Sequence, residues 1–156
     1  MSDATKTDAT KTDATKTYTG GCHCGAVRYS VDLDLSKPEA SKCNCSICLK
    51  SNRLSLPIQP SQFKLLSPSS KEDVPEYQFG SKSQHHHFCN KCGIHVFGYG
   101  SYVWEGKEVK NFEVNAVTLD QDHGVDLRKF KVGYWDGKTE GWAKGQGEGP
   151  YEGGTY

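Results

Sequence analysis

The chain has 156 residues, enough for one domain with a single core and too few for two. Its 19 basic and 19 acidic residues balance, so net charge gives no case for nucleic acid or an anionic membrane as a partner. No apolar run approaches the roughly 18 residues of a membrane span, and MSDATKTDATKT lacks a signal peptide's hydrophobic core, so the expected location is the cytoplasm.

Residues 3–17 are DATKT three times over. A period of five is too short for a solenoid, and with nothing more apolar than alanine the segment cannot offset its ordering entropy. Residues 1–17 are therefore expected to be a disordered leader to a domain spanning 18–137. Seventeen glycines, eight tyrosines and few helix-forming runs predict an all-β, turn-rich domain. Residues 26–31 alternate, placing Val27, Tyr29 and Val31 on one face of a strand. Residues 32–42, with Pro38, read as a loop. Residues 54–58 read as a short strand that Pro57 confines to an edge or a bulge. Further short strands are expected over 61–66, 77–79 and 85–89. Residues 94–99 alternate again, with His95, Phe97 and Tyr99 opposite Ile94 and Val96. Residues 112–119 carry Phe112, Val114 and Ala116 on one face, 129–135 read as a last strand, and the glycine-rich 138–156 as a loose tail.

The seven cysteines fall in three clusters: GCHCG (Cys22, Cys24), CNCSIC (Cys43, Cys45, Cys48) and FCNKCG (Cys89, Cys92). In a reducing compartment such spacing points to metal or thiol chemistry rather than disulfides. CxxC in a tight turn offers two sulfurs to a tetrahedral ion, and CxC on an extended segment puts two thiols on one side. Seven ligands divide as four and three. Cys22, Cys24, Cys89 and Cys92 make a closed structural zinc site. Cys43, Cys45 and Cys48 grip a second zinc from one loop and leave a position open for substrate. A competing division makes both zincs structural, with an eighth ligand from His23, His85, His86, His87 or His95. Within His85-His86-His87, strand geometry sends alternate members to opposite faces, which argues against the run as one metal site.

GCHCGAVRY, CNCSIC and FCNKCGIHVFG, in this order, resemble the glutathione-dependent formaldehyde-activating enzymes and the related centromere protein V domains. NAVTLD at 115–120 and Gly124-Val125-Asp126-Leu127 extend the likeness. The resemblance implies a tent-like fold of short antiparallel sheets stapled by two zinc ions. It implies a carbon–sulfur lyase that joins glutathione to formaldehyde as S-hydroxymethylglutathione. It also assigns the same four cysteines to structural zinc and the same three to catalytic zinc.

For this chemistry the partners are a small thiol or carbonyl compound, with glutathione as the inherited candidate, and neither nucleic acid nor membrane. His95 is the candidate proton shuttle. Arg28, Lys50, Asn52 and Arg53 are candidates for binding a substrate carboxylate, and Phe88, Phe97, Tyr99 and Trp104 for walling the pocket. The rival readings are a non-catalytic, zinc-stabilised protein-binding module and a redox sensor built on Cys43, Cys45 or Cys48.

Overall fold

A computed structural model describes residues 14–156. Ten strands and one short helix follow in chain order: β1 (Thr15–Gly21), β2 (Arg28–Asp34), β3 (Glu39–Cys43), α1 (Ser46–Lys50), β4 (Ser55–Pro57), β5 (Phe63–Ser67), β6 (Glu76–Tyr77), β7 (Gln84–Phe88), β8 (His95–Trp104), β9 (Lys107–Asn115) and β10 (Lys131–Trp135). They form a three-stranded sheet, β1-β2-β5, and a seven-stranded sheet, β10-β3-β4-β9-β8-β7-β6. The fold is mostly β, as expected. Every pair is antiparallel except β10 with β3, which run parallel with Trp135 opposite Cys43.

The small sheet follows from alternation. Val27, Tyr29, Val31 and Leu33 are all buried, and their neighbours along β2 are more exposed. Tyr29 and Phe63 from this sheet meet Phe97 and Phe112 from the large one. Phe63 is the hub, with ring centroids 5.4 Å from Tyr29 and 5.0 Å from each of Phe97 and Phe112. Such aromatic contacts add about 0.5–1.5 kcal/mol each beyond their buried area. Residues 116–120 tie the sheets together a second time. Thr118 donates its hydroxyl to the Asn115 carbonyl, which leaves its oxygen to accept from Tyr29 Oη at 2.9 Å. Asp120 accepts from Thr19 and pairs with Arg28. Gly20 is required here, because a Cβ would fall 2.4 Å from the Tyr29 hydroxyl oxygen and 2.6 Å from the Thr118 carbonyl.

Four expectations are corrected. The leader reading covers residues 1–17, yet β1 starts at Thr15, so the end of the third repeat is paired with Leu33 and its neighbours. The rest of that reading lies outside the described residues. Of residues 32–42, read as loop, 32–34 complete β2 and 39–42 belong to β3, whose polar side chains carry no alternation and whose partner β10 lies far along the chain. The strand read over 112–119 instead ends at Asn115, and residues 116–118 are a 3-10 turn. Residues 138–156 are not loose: Tyr134 and Gly147 exchange two backbone hydrogen bonds, and the segment closes back on the CNCSIC loop.

Candidate metal centres

The first cluster joins the two sheets. Cys22 follows β1, Cys24 sits in the β1–β2 turn, and Cys89 and Cys92 flank the β7–β8 turn. Their four sulfurs lie within 4.8 Å of one another, with Cys22–Cys24 and Cys24–Cys89 both at 3.6 Å. A tetrahedron with Zn–S bonds of ~2.3 Å has an edge of ~3.8 Å, so these separations suit a four-thiolate ion. Backbone N–H groups of Val27 and Lys91 point at the Cys22 and Cys89 sulfurs. Each turn is completed by a glycine in the left-handed region, Gly25 (φ 79°) and Gly93 (φ 74°).

The second cluster is carried by the end of β3 and by α1. Cys43 closes the strand, Cys45 precedes the helix, and Cys48 lies three residues on, which puts Cys45 and Cys48 on the same side of one helical turn. The three sulfurs lie within 4.8 Å of one another. Among the described residues no histidine or carboxylate joins either group, so an eighth protein ligand from the five histidines is not part of the arrangement.

Arg53 is the residue whose importance the sequence concealed. Its side chain is 12 % exposed, paired with the 14 % exposed Glu113 at 2.5 Å, and its Nη2 donates to Cys48 Sγ at 2.9 Å. Nη1 also lies 3.3 Å from His86 Nδ1. Desolvation opposes the charge, but Glu113 and then Cys48 outweigh it and raise the guanidinium pKa. A Cβ at Gly98 would press on the His85 carbonyl at 3.0 Å and meet Glu113 Oε1 only at ordinary contact distance, 3.5 Å. Arg53 is therefore engaged within the protein rather than held ready for a substrate carboxylate. Arg28 is likewise paired with Asp120, and Asn52 accepts from Lys42, while Lys50 is exposed.

The histidine run divides as strand geometry requires. His85 and His87 both stack on Tyr99, whereas His86 faces Phe79 and His95. Contacts run from Cys48 to Arg53, then to His86, then to His95, whose ring centroid is 5.7 Å from that of His86. Burial, reinforced by the Arg53 charge, lowers the pKa of His86 to about 4 and that of His95 to about 3. Both are neutral near pH 7. Among the described residues, Arg53 Nε, His86 Nε2 and both ring nitrogens of His95 are buried without a protein hydrogen-bond partner.

The aromatic wall differs from the expected one. Phe97 is core, Tyr99 stacks on histidines and Phe112, and Trp104 is at an exposed hairpin tip. The rings beside the second cluster are Trp135, opposite Cys43 in the β10–β3 ladder, and Trp142, 6.1 Å from it. A wider surface cleft lined by Pro60, Phe63, Ser70 and Lys71 includes no cysteine.

The family model of the glutathione-dependent formaldehyde-activating enzyme matches residues 17–132. The chain belongs to that family. A crystal structure of a Rhodobacter sphaeroides protein is similar at 30% identity and a TM-score of 0.56, covering 75% of this chain and 98% of its own. Membership points to chemistry on glutathione and formaldehyde, and both cysteine clusters fall inside the matched region. No helix among the described residues is long and apolar enough to cross a membrane.

Proposed function

We propose that this member of the formaldehyde-activating family is a zinc-dependent carbon–sulfur lyase acting on a thiol–aldehyde adduct. The reference reaction joins glutathione and formaldehyde as S-hydroxymethylglutathione. One observation carries the reading: three sulfurs are gathered together with no fourth protein ligand among the described residues, and Arg53, which donates to Cys48, leads to buried nitrogens that lack partners among those residues. Cys22, Cys24, Cys89 and Cys92 would hold a structural zinc. Cys43, Cys45 and Cys48 would hold a second, which when bound supplies Lewis acidity and lowers the pKa of a substrate thiol.

The protein's own groups do the rest. The Arg53 hydrogen bond withdraws charge from Cys48, offsetting part of the electron density that three thiolates contribute. In the forward direction the substrate sulfur bonds to the carbonyl carbon, the C=O π bond breaks, and the thiol's proton finishes on the new hydroxyl oxygen. With pKa values near 4 and 3, His86 and His95 serve as neutral hydrogen-bonding groups. Each can donate at one nitrogen and accept at the other, which suits passing that proton to the developing alkoxide without carrying lasting charge. His95, with its ring centroid 5.7 Å from that of His86 and no hydrogen bond between the two rings among the described residues, is kept as the candidate proton shuttle.

The test follows formaldehyde–glutathione exchange by NMR with zinc-loaded protein, metal-stripped protein and Cys45→Ser. Acceleration by the loaded protein alone is expected. Exchange no faster than the spontaneous reaction would remove the lyase assignment and leave a zinc-stabilised scaffold.

A further inference from the structure

The residues of the three-cysteine loop do not fix its shape by themselves. Helix α1 has five residues, and its N-cap, Cys45, makes no side-chain capping bond, so local structure orders Cys45 and Cys48 only weakly. The polar β3 that delivers Cys43 is paired along its whole length with β10, in a parallel ladder that ends with Trp135 opposite Cys43. One further bond prolongs that ladder into the loop, from Asn44 N–H to the Trp135 carbonyl at 3.2 Å.

Asn44 stands between two of the three cysteines and is buried. Its amide donates to Asp136 Oδ1 at 2.9 Å and to the Glu152 carbonyl at 3.2 Å, and its Oδ1 accepts from Lys138 N at 2.8 Å. Both amide protons and the side-chain oxygen are thus engaged, and every partner lies beyond residue 132, where the family match ends. Asp136, also buried, is held in turn, because its Oδ2 accepts from Thr139 Oγ1 at 2.5 Å and Lys144 Nζ at 2.9 Å. At Gly137 a Cβ would fall 2.5 Å from Cys43 Sγ and 3.0 Å from Cys45 Cβ, so main chain of this segment lies directly against two of the cysteines.

A free loop loses backbone freedom when its thiolates close on an ion, and that loss weakens binding. Bonds that order the loop beforehand remove the loss. We propose that Asn44 and Asp136 are positioning residues of the three-cysteine site, through which residues 136–152 hold Cys43 and Cys45 in ligand geometry before metal arrives. This rests on the reading of Cys43, Cys45 and Cys48 as a metal site. Neither positioning residue is itself a ligand.

The experiment mixes the zinc-loaded full chain with a chromogenic chelator and follows metal release. The phase missing from Cys45→Ser belongs to the three-cysteine site. Asn44→Ala and Asp136→Ala should each speed that phase about tenfold, the lower end for an outer partner of a metal ligand, with the other phase unchanged. Asp136→Asn, which keeps an oxygen to accept from Asn44, should recover most of the slow release. With cobalt(II) in place of zinc, the two alanine variants should shift the absorption bands that Cys45→Ser lacks. Lys144→Met, at a half-exposed side chain one bond farther from the loop, decides the matter if the alanine variants do not fold. It should speed the same phase about threefold, a smaller effect than loss of a direct outer partner. Acceleration of both phases alike, or of neither, overturns the positioning role and leaves the metal site standing. A wild type that holds one zinc and releases it as Cys45→Ser does overturns the metal-site reading, and the positioning role with it.

Discussion

Arg53 shows how one side chain can be misread from its formula. As a cation near a cysteine loop it invites assignment to substrate. In the fold it pairs with Glu113 behind Cys48. Removing one partner of a buried pair leaves the other charge uncompensated, at a cost of about 3–5 kcal/mol. Arg53→Met should show that loss in urea denaturation and release metal faster to a chelator. The double variant with Glu113→Leu should recover part of the stability, because no lone charge remains. His86 and His95 make a second prediction. Their folded pKa values lie below the unfolded value of ~6.5, so the unfolded chain binds more protons between these limits. Stability should be full above pH ~6.5 and fall as pH drops toward 4, by at most ~1.4 kcal/mol per pH unit for each histidine. Denaturation midpoints at pH 7 and pH 5.5, with metal content checked at each, should show a shallower fall for His95→Phe. An equal fall in both would remove His95 from the account.

Elements made only of exposed residues left little trace in the sequence. The outer half of the β8–β9 hairpin pairs Ser101–Trp104 with Lys107–Lys110, and most of these side chains face water, so no apolar alternation marks it. Its turn is Glu105-Gly106, with φ of 49° and 76°, the left-handed pair that a two-residue hairpin needs. Gly106→Ala should cost about 1 kcal/mol of stability and leave metal content unchanged. Gly137→Ala should do the reverse. A methyl there meets a ligand sulfur and an indole, so elemental analysis should show loss of metal from the three-cysteine loop while the fold persists. Two metal equivalents in Gly137→Ala would mean that the close approach is relieved at no cost to the site. The short α1 was not legible: Cys43, Cys45 and Cys48 read as one loop, and five residues are too few for an apolar stripe.

Across the whole molecule, the four-cysteine cluster links the two sheets at points 65 residues apart. A bound ion there adds its binding energy to folding and closes that long loop. Cys89, almost wholly buried, should not tolerate replacement: Cys89→Ser is expected to unfold the domain in thermal melts. Cys45→Ser, acting on a loop tied down by Asn44 and Asp136, should keep the fold and lose one of two zinc ions per chain. Identical melting of the two variants would make both sites structural.

The division of seven cysteines into four and three was legible because ligand spacing is local: CxC and CxxC position sulfurs whatever surrounds them. The strand alternation of Val27, Tyr29 and Val31 was legible for the same reason, a period written in adjacent residues. Contacts between distant segments were not. Asn44 meets Asp136 across 92 residues, β3 exists as a strand because β10 lies beside it, and Arg53 is buried with its charge paired by Glu113 from β9. Such pairings have no local period to betray them. The sequence by itself determined which atoms could hold metal. Only the tertiary structure decided what stands around the three-cysteine site, because its neighbours arrive from segments that meet nowhere but in the folded chain.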